Sequence, residues 1–333
     1  MKKLAKTNEF YVGIIIVTLS LLIGFVNSSF FSPLNFVDIL RSSMLMLIFS
    51  MGTLMVIISG GIDVSFPAIA SMSMYTTTKI MIDSNYEGSI VLFFILAGAI
   101  GLSLGFLNGV LIAFFKLPTI IVTLGTSSMY IGFMLTFVGS GALANVPDSV
   151  RAFSRSMLFS LQNEAGVTSA LPTTFLIALS IVIITHFILK YTYLGRGIYA
   201  IGGDIVSAER AGYRVKRIQI FVYSYIGLIA GIGGMIHTIM MRTSNPMVLV
   251  GSEMLVIASV VLGGARVKGG HGTVIGTILG VILVILIQNN LILLGIPQFW
   301  QAFVIGLIII IGTGFTSIQR LRTQKTMHEI TNI

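Results

Sequence analysis

The chain is written in long apolar stretches separated by short polar connections, a pattern that reads as a series of membrane-crossing helices. The stretches fall at 10–27, 42–59, 66–82, 90–115, 119–140, 171–190, 218–241, 249–265, 272–290 and 299–318. Each approaches the roughly 20 residues that a helix needs to cross the hydrocarbon core. The expectation is an all-α fold: one polytopic membrane helical bundle of about ten spans, forming a single transmembrane domain over residues 1–333. Composition agrees, because 55% hydrophobic residues and 9% charged ones leave too little polar surface for a water-soluble domain of this length.

Charge sets the orientation. The chain carries a net charge of +9, which in a soluble protein would raise the question of nucleic acid. Here the basic residues sit in short loops beside apolar spans, where they act as a topology signal and imply no nucleic-acid partner. With the amino terminus inside, the 20 Lys and Arg residues divide 15 to 5 in favour of the inner face. Both termini are therefore expected in the cytoplasm. The first span follows MKKLAK, lacks a small-x-small cleavage site after it, and reads as an uncleaved anchor. The longest outer connection, between spans five and six, is expected to form a cap with an amphipathic helix near Val150 to Leu161.

Glycine, at 36 residues, lies largely inside the apolar segments. Gly98, Gly101, Gly105 and Gly109, like Gly272, Gly276 and Gly280, recur every three or four residues, the spacing of close helix packing in membranes. Two other clusters interrupt apolar runs and carry polar residues: SGGIDVSFP (Ser59 to Pro67) and LGGARVKGGHG (Leu262 to Gly272). Backbone broken at membrane depth persists only where protein or a water-filled cavity satisfies its polar groups, so these are either surface turns or re-entrant elements. Arg266 and Lys268 favour a surface turn for the second, and the lone Asp63 favours a buried functional turn for the first. Gly60, Gly61, Asp63, Ser65, Asn108, Gly263 and Gly264 are the candidate pathway or gating residues. The ionisable residues in or beside spans are few: Asp63, His186, His237 and Glu253.

A charged island, IGGDIVSAERAGYRVKRIQ (Ile201 to Gln219), stands between two apolar runs on the inner side. Asp204 suits an N-cap and Gly212 a C′ position, enclosing a helix of about two turns, roughly 10 Å long. Gly202 and Gly203 allow a sharp turn into it, and Ala208 and Ala211 offer a small knob to a groove. The caps point to a docking element for a cytoplasmic protein made of Gly202, Gly203, Asp204, Ser207, Ala208, Glu209, Arg210, Ala211 and Gly212.

Enzyme motifs are not found in the chain: no H-E-x-x-H, no G-x-S-x-G, no P-loop and no cysteine nucleophile. Energy for transport must then come from a partner or an ion gradient, and an ion-coupled secondary carrier is the competing reading. Uncharged groups in the spans, Asn108, Ser127, Ser128, Thr136, Gln288 and Asn289, suit a neutral polyhydroxylated solute better than an ion.

Four segments, SGGIDVS, LNGVLIAFFKLPTIIVTLGT (Leu107 to Thr126), YLGRGIYAIGGDIVSAERAGYRVKRIQ (Tyr193 to Gln219) and IASVVLGGARVKGGHGTVIGTILG (Ile257 to Gly280), resemble the permease subunits of bacterial ABC importers for ribose and related sugars. The run LLGIPQFWQAFVIGLIIIIG is similar to that family's closing span. The resemblance implies a permease of the inner membrane, in contact with lipid, paired with a second copy or a homologous permease. It implies two ATP-binding cassette subunits inside and an extracytoplasmic sugar-binding protein outside. No cofactor is expected on this chain, ATP and Mg belonging to the partner ATPases. The family's coupling helix falls on Ile205 to Ala211. Phe66 and Pro67, Asp204 and Glu209 depart from the family's usual small residues, asparagine and alanine at those places.

Overall fold

The computed structural model describes residues 8–293 together with Trp300, Phe303, Gly306 and Leu307. In chain order the helices are α1 (Asn8–Val26), α2 (Pro33–Ile58), α3 (Phe66–Asp83), α4 (Ile90–Phe115), α5 (Thr119–Phe133), α6 (Asp148–Ser154), α7 (Thr174–Tyr191), α8 (Tyr193–Gly203), α9 (Ile205–Arg210), α10 (Val215–Met241), α11 (Glu253–Leu262) and α12 (Val274–Leu293). A π-helical turn, Met134–Val138, prolongs α5. Six of these, α1, α2, α4, α5 with its extension, α7 and α10, are long and apolar enough to cross a bilayer. The expected tenth span, 299–318, lies outside the continuously described residues.

Two boundaries differ from the hydropathy pattern for identifiable reasons. Helix α2 begins well before residue 42, because Ser32 accepts from Asn35 N at 3.2 Å and Pro33 occupies the first turn. Asp38 and Arg41 had lowered the local hydropathy without interrupting the helix. Helix α11 is shorter than the expected 249–265, since Asn245 turns the chain by accepting from Met247 N at 3.0 Å and Glu253 accepts from Gly251 N at 3.0 Å. The cap also differs: only Asp148–Ser154 is helical. It is followed by an antiparallel hairpin, β1 (Met157–Gln162) and β2 (Thr168–Pro172). Asn163 closes the hairpin turn, its Oδ1 accepting from Val167 N at 2.8 Å.

The connections alternate between two ends of the bundle. One, the hairpin end, carries the cap, whose Leu143 bridges to Ser244 and whose Ser154 hydroxyl accepts from Arg242 Nε at 2.7 Å. The other, the basic end, carries Lys116, the α8–α9 segment and the 263–273 connection. The main buried cluster draws side chains from α2, α3, α4, α5 and α7 through α12, with Ile48, Leu54, Phe66, Val222, Ile226 and Val260 at or near zero exposure.

Helices α4 and α10 approach backbone to backbone. A side chain on Gly101 or Gly105 would meet the Gly227 or Tyr223 carbonyl, and one on Gly231 the Ala97 carbonyl. The glycine row read on α4 therefore has a matching row on α10, Gly227 and Gly231. In a membrane such contact replaces the hydrophobic driving force that lipid removes. The same device joins α11 and α12 through Gly263 against Gly276 and Gly280 against Ser259.

Candidate functional site

The short helix α9 at the basic end is built from its caps. Asp204, in extended conformation, accepts from Ser207 N at 2.7 Å, and Gly212 at φ +86° ends the helix in the left-handed region that a Cβ disfavours. The hydrogen bonds from Ser207 hold the Asp204 carboxyl below the usual carboxylate range. Ala208 corrects the expectation that it offers a knob outward: it is 2% exposed and packs into the core. The outward face carries Ile205 and Val206, 46% and 54% exposed, with Ser207, Glu209, Arg210 and Ala211 also exposed. Two adjacent β-branched apolar residues thus stand exposed on a surface otherwise dressed in charge.

Helix α8, which leads into α9, is anchored by a junction of glycines. Gly202, last but one in α8, packs against the carbonyl of Ile58, the last residue of α2. Gly270 N donates to the same carbonyl at 2.8 Å. Gly60 and Gly269 close the junction, a Cβ on Gly269 falling 2.8 Å from the Cα atoms of both Gly202 and Gly60. Three segments singled out separately in the sequence, around Gly60, Gly202 and Gly269, thus meet at one point. Gly203 borders open space. Gly263 and Gly264 do not join the junction: the first packs on α12 and the second against the Asn8 side chain. The contact belongs to the second glycine pair of that connection, which the spacing alone did not separate from the first.

Beyond Gly60 the chain runs non-helical through Gly61–Ser65 before α3 begins, and Asp63, Val64 and Ser65 are buried. Most of its polar groups are satisfied by protein, Asp63 Oδ2 being buried without a partner among the described residues. Ile62 N donates to Thr119 Oγ1 at 3.0 Å and Val64 N to Thr123 Oγ1 at 3.3 Å, both on α5. Asp63 Oδ1 accepts from Ser65 N at 2.7 Å and from Ser65 Oγ at 2.6 Å. Ser65 Oγ in turn accepts from Asn108 Nδ2 on α4 at 2.8 Å. Tyr130 OH on α5 lies 3.1 Å from Asn108 Oδ1 and 2.9 Å from the Leu104 carbonyl. The structure therefore brings Asp63, Ser65 and Asn108 together and adds Thr119, Thr123 and Tyr130, which read in the sequence as ordinary span residues. The result is a hydrogen-bonded strut tying the break to α4 and α5 in a setting where an unpaired polar group is costly.

The other singled-out residues scatter. His186 stacks edge-on with Tyr191, Glu253 caps the turn before α11, and Ser128 and Thr136 are exposed on α5 and its extension. His237, Gln288 and Asn289 share a cavity at the hairpin end.

The comparisons agree with this architecture. Residues 35–312 match the family described as "Branched-chain amino acid transport system / permease component". Among curated relatives, the autoinducer 2 import system permease protein LsrC of Yersinia pseudotuberculosis serotype O:3 (strain YPIII) is 31% identical over 300 residues, covering 89% of this chain and 80% of the relative. LsrC of Yersinia enterocolitica serotype O:8 / biotype 1B is 32% identical over 295 residues, covering 89% and 78%. No solved structure matches the chain. A multi-helix membrane bundle matched over most of its length in this way is a transport-system permease, and the chain belongs to the ABC-importer permease family described as the permease component of the branched-chain amino acid transport system.

Proposed function

We propose that the chain forms half of the translocation pathway of an ATP-driven importer, moving a sugar-like neutral solute into the cytoplasm by alternating access. The relatives named for autoinducer 2 import support the solute class, since the likeness extends over 89% of the chain. Family membership favours this reading over an ion-coupled carrier. The observation that carries it is α9: a capped, charged helix with Ile205 and Val206 exposed, following directly on α8, whose Gly202 packs on the end of α2.

In this reading the basic end faces the cytoplasm, in keeping with the excess of basic residues there, and both termini lie inside. Helix α9 enters a groove of an ATP-binding cassette subunit, one ATPase for each of two permeases. ATP and Mg are held on the ATPases. An extracytoplasmic binding protein delivers solute at the hairpin end. ATP can drive the cycle only by binding one global state better than the other, and α9 is where that preference passes into the membrane. The Asp63 strut is the gating element: it joins a broken segment to α4 and α5, and the break adjoins the junction that anchors α8.

The test is reconstitution in liposomes with the neighbouring ATPase and binding protein. Uptake of a neutral sugar that requires ATP and persists when the proton gradient is collapsed supports the proposal; uptake without any ATPase sinks it.

A further inference from the structure

At the hairpin end a cavity of about 640 Å³ opens between the first turns of α2 and the last turns of α10 and α12. Its polar wall is made by Asn35, Asp38, Arg41, His237, Gln288 and Asn289. Among the described residues these groups are largely unspent. The side chains of Arg41, Gln288 and Asn289 bond to no other described residue, and Asn35 uses only its Nδ2, which donates to the Phe30 carbonyl at 2.8 Å. The half-buried His237 has an Nδ1 without a partner among the described residues. Asp38 is oriented by the Ser169 hydroxyl, which donates to its Oδ1 at 2.6 Å from the hairpin. Leu45 and Ile285 give the cavity an apolar wall.

The chemistry selects among solutes. Three amides supply both donors and acceptors, the complement of a ligand whose every hydroxyl is itself donor and acceptor. Asp38 and Arg41, one turn apart on α2, oppose each other in sign, so the wall favours neither an anion nor a cation. An apolar wall beside polar groups suits a ring with a hydrocarbon face and a hydroxylated edge.

The cavity is also mechanically connected to the opposite end. Helix α2 runs 26 residues, about 39 Å, from the cavity to Ile58 at the glycine junction that anchors α8. Helix α10 starts just beyond α9 and ends at His237, Met240 and Met241 in the cavity wall. Gly52 of α2 packs directly on Ile226 and Ile229 of α10, so the two helices move as neighbours in close contact.

We propose that this cavity is the station that receives a neutral polyhydroxylated solute before it crosses. The proposal rests on the sugar-like import reading above and places that solute in this chain.

The chain has no cysteine, so Gln288→Cys or Asn289→Cys puts a single thiol in the cavity, with Lys268→Cys at the basic end as the control for sidedness. The complete complex in liposomes is treated from outside with a membrane-impermeant maleimide. The expected result is labelling of the two cavity thiols and not of the control, slowed about tenfold by millimolar neutral five- and six-carbon sugars but not by leucine or inorganic phosphate. Separately, Gln288→Leu combined with Asn289→Leu is expected to lower sugar uptake about tenfold or more at an unchanged thermal midpoint. Absence of sugar protection, protection by leucine or phosphate instead, or full uptake by the double variant overturns the station. Wild-type uptake that ignores ATP would overturn the importer reading while sugar protection of the thiols still stood, so the two failures are distinguishable.

Discussion

Gly202 and Ile58 meet backbone to backbone, the glycine of α8 lying on the carbonyl that ends α2, with Gly270 N hydrogen-bonded to the same oxygen at 2.8 Å. Two acceptor lone pairs and one missing Cβ make this approach possible. Every other residue at position 202 would place a side-chain atom inside the carbonyl.

Gly202→Ala is therefore expected to destabilise the permease by about 1–3 kcal/mol, the usual cost of overpacking a closed contact, and to uncouple uptake from ATP hydrolysis. Gly203→Ala borders open space and serves as the matched control. Thermal unfolding in detergent together with uptake per ATP in liposomes checks both, and equal behaviour of the two variants would remove the junction from the account.

The buried break makes a second expectation. Ser65→Ala deletes the hydroxyl that donates to Asp63 and accepts from Asn108, leaving Asn108 Nδ2 without its partner, at about 1–3 kcal/mol, and Asp63 Oδ1 with the Ser65 N donor alone. Asn108→Leu strips Ser65 of its donor and the Tyr130 hydroxyl of one of its two neighbours. Both variants should lower the unfolding temperature, Ser65→Ala the more, whereas Ser128→Ala on the exposed side of α5 should not. A Ser65→Ala protein as stable as wild type contradicts the strut.

The bundle was legible in the sequence because length and apolarity alone decide what crosses a membrane, and the α4 boundaries, 90–115, fall where hydropathy puts them. Glycine spacing revealed that α4 packs closely, though not that α10 answers it. Asp63 stood out as a charge in an apolar context. Its partners did not, because Tyr130 and Thr123 resemble any polar residue on a span, and only the folded arrangement selects them. Ala208 was misjudged for a related reason. A helix of six residues has under two turns, too few for periodicity to say which residue turns inward; only the folded packing buries Ala208. Asp204 and Gly212 were legible because caps are local chemistry.

Asp204 yields a pH expectation whose sign follows from its hydrogen bonds. Bonding from Ser207 lowers the folded-state pKa below the ordinary aspartate value, so its contribution is present above the unfolded carboxylate pKa and is lost as pH falls through the folded one. Capping is thus constant across about pH 5 to 8, and coupled uptake should show no titration there that depends on this residue. Asp204→Asn, which can still accept from Ser207 N, should retain coupling, whereas Asp204→Ala should weaken it. A pH profile between those limits that changes on Asp204→Asn would show that the charge, and not the cap, matters.

Exposure along α9 separates the proposed docking contact from folding. Ile205 and Val206 are exposed and Ala208 is buried, although all three lie within four consecutive residues. Val206→Asp, or Ile205→Asp, removes an apolar anchor from the proposed groove contact without touching the core, so the expected outcome is loss of the copurifying ATPase at an unchanged permease melting temperature. Anchors of this kind typically cost at least 2 kcal/mol when removed from the centre of an interface, about thirtyfold in affinity. Ala208→Leu does the reverse: it overpacks the core by about 1–3 kcal/mol and lowers the melting temperature first. Pull-down of the ATPase and thermal unfolding, measured on the same preparations, read the two effects independently. Retention of the ATPase by both aspartate variants would move the docking face off α9 altogether, onto the exposed Arg266 to Lys268 connection that shares the basic end.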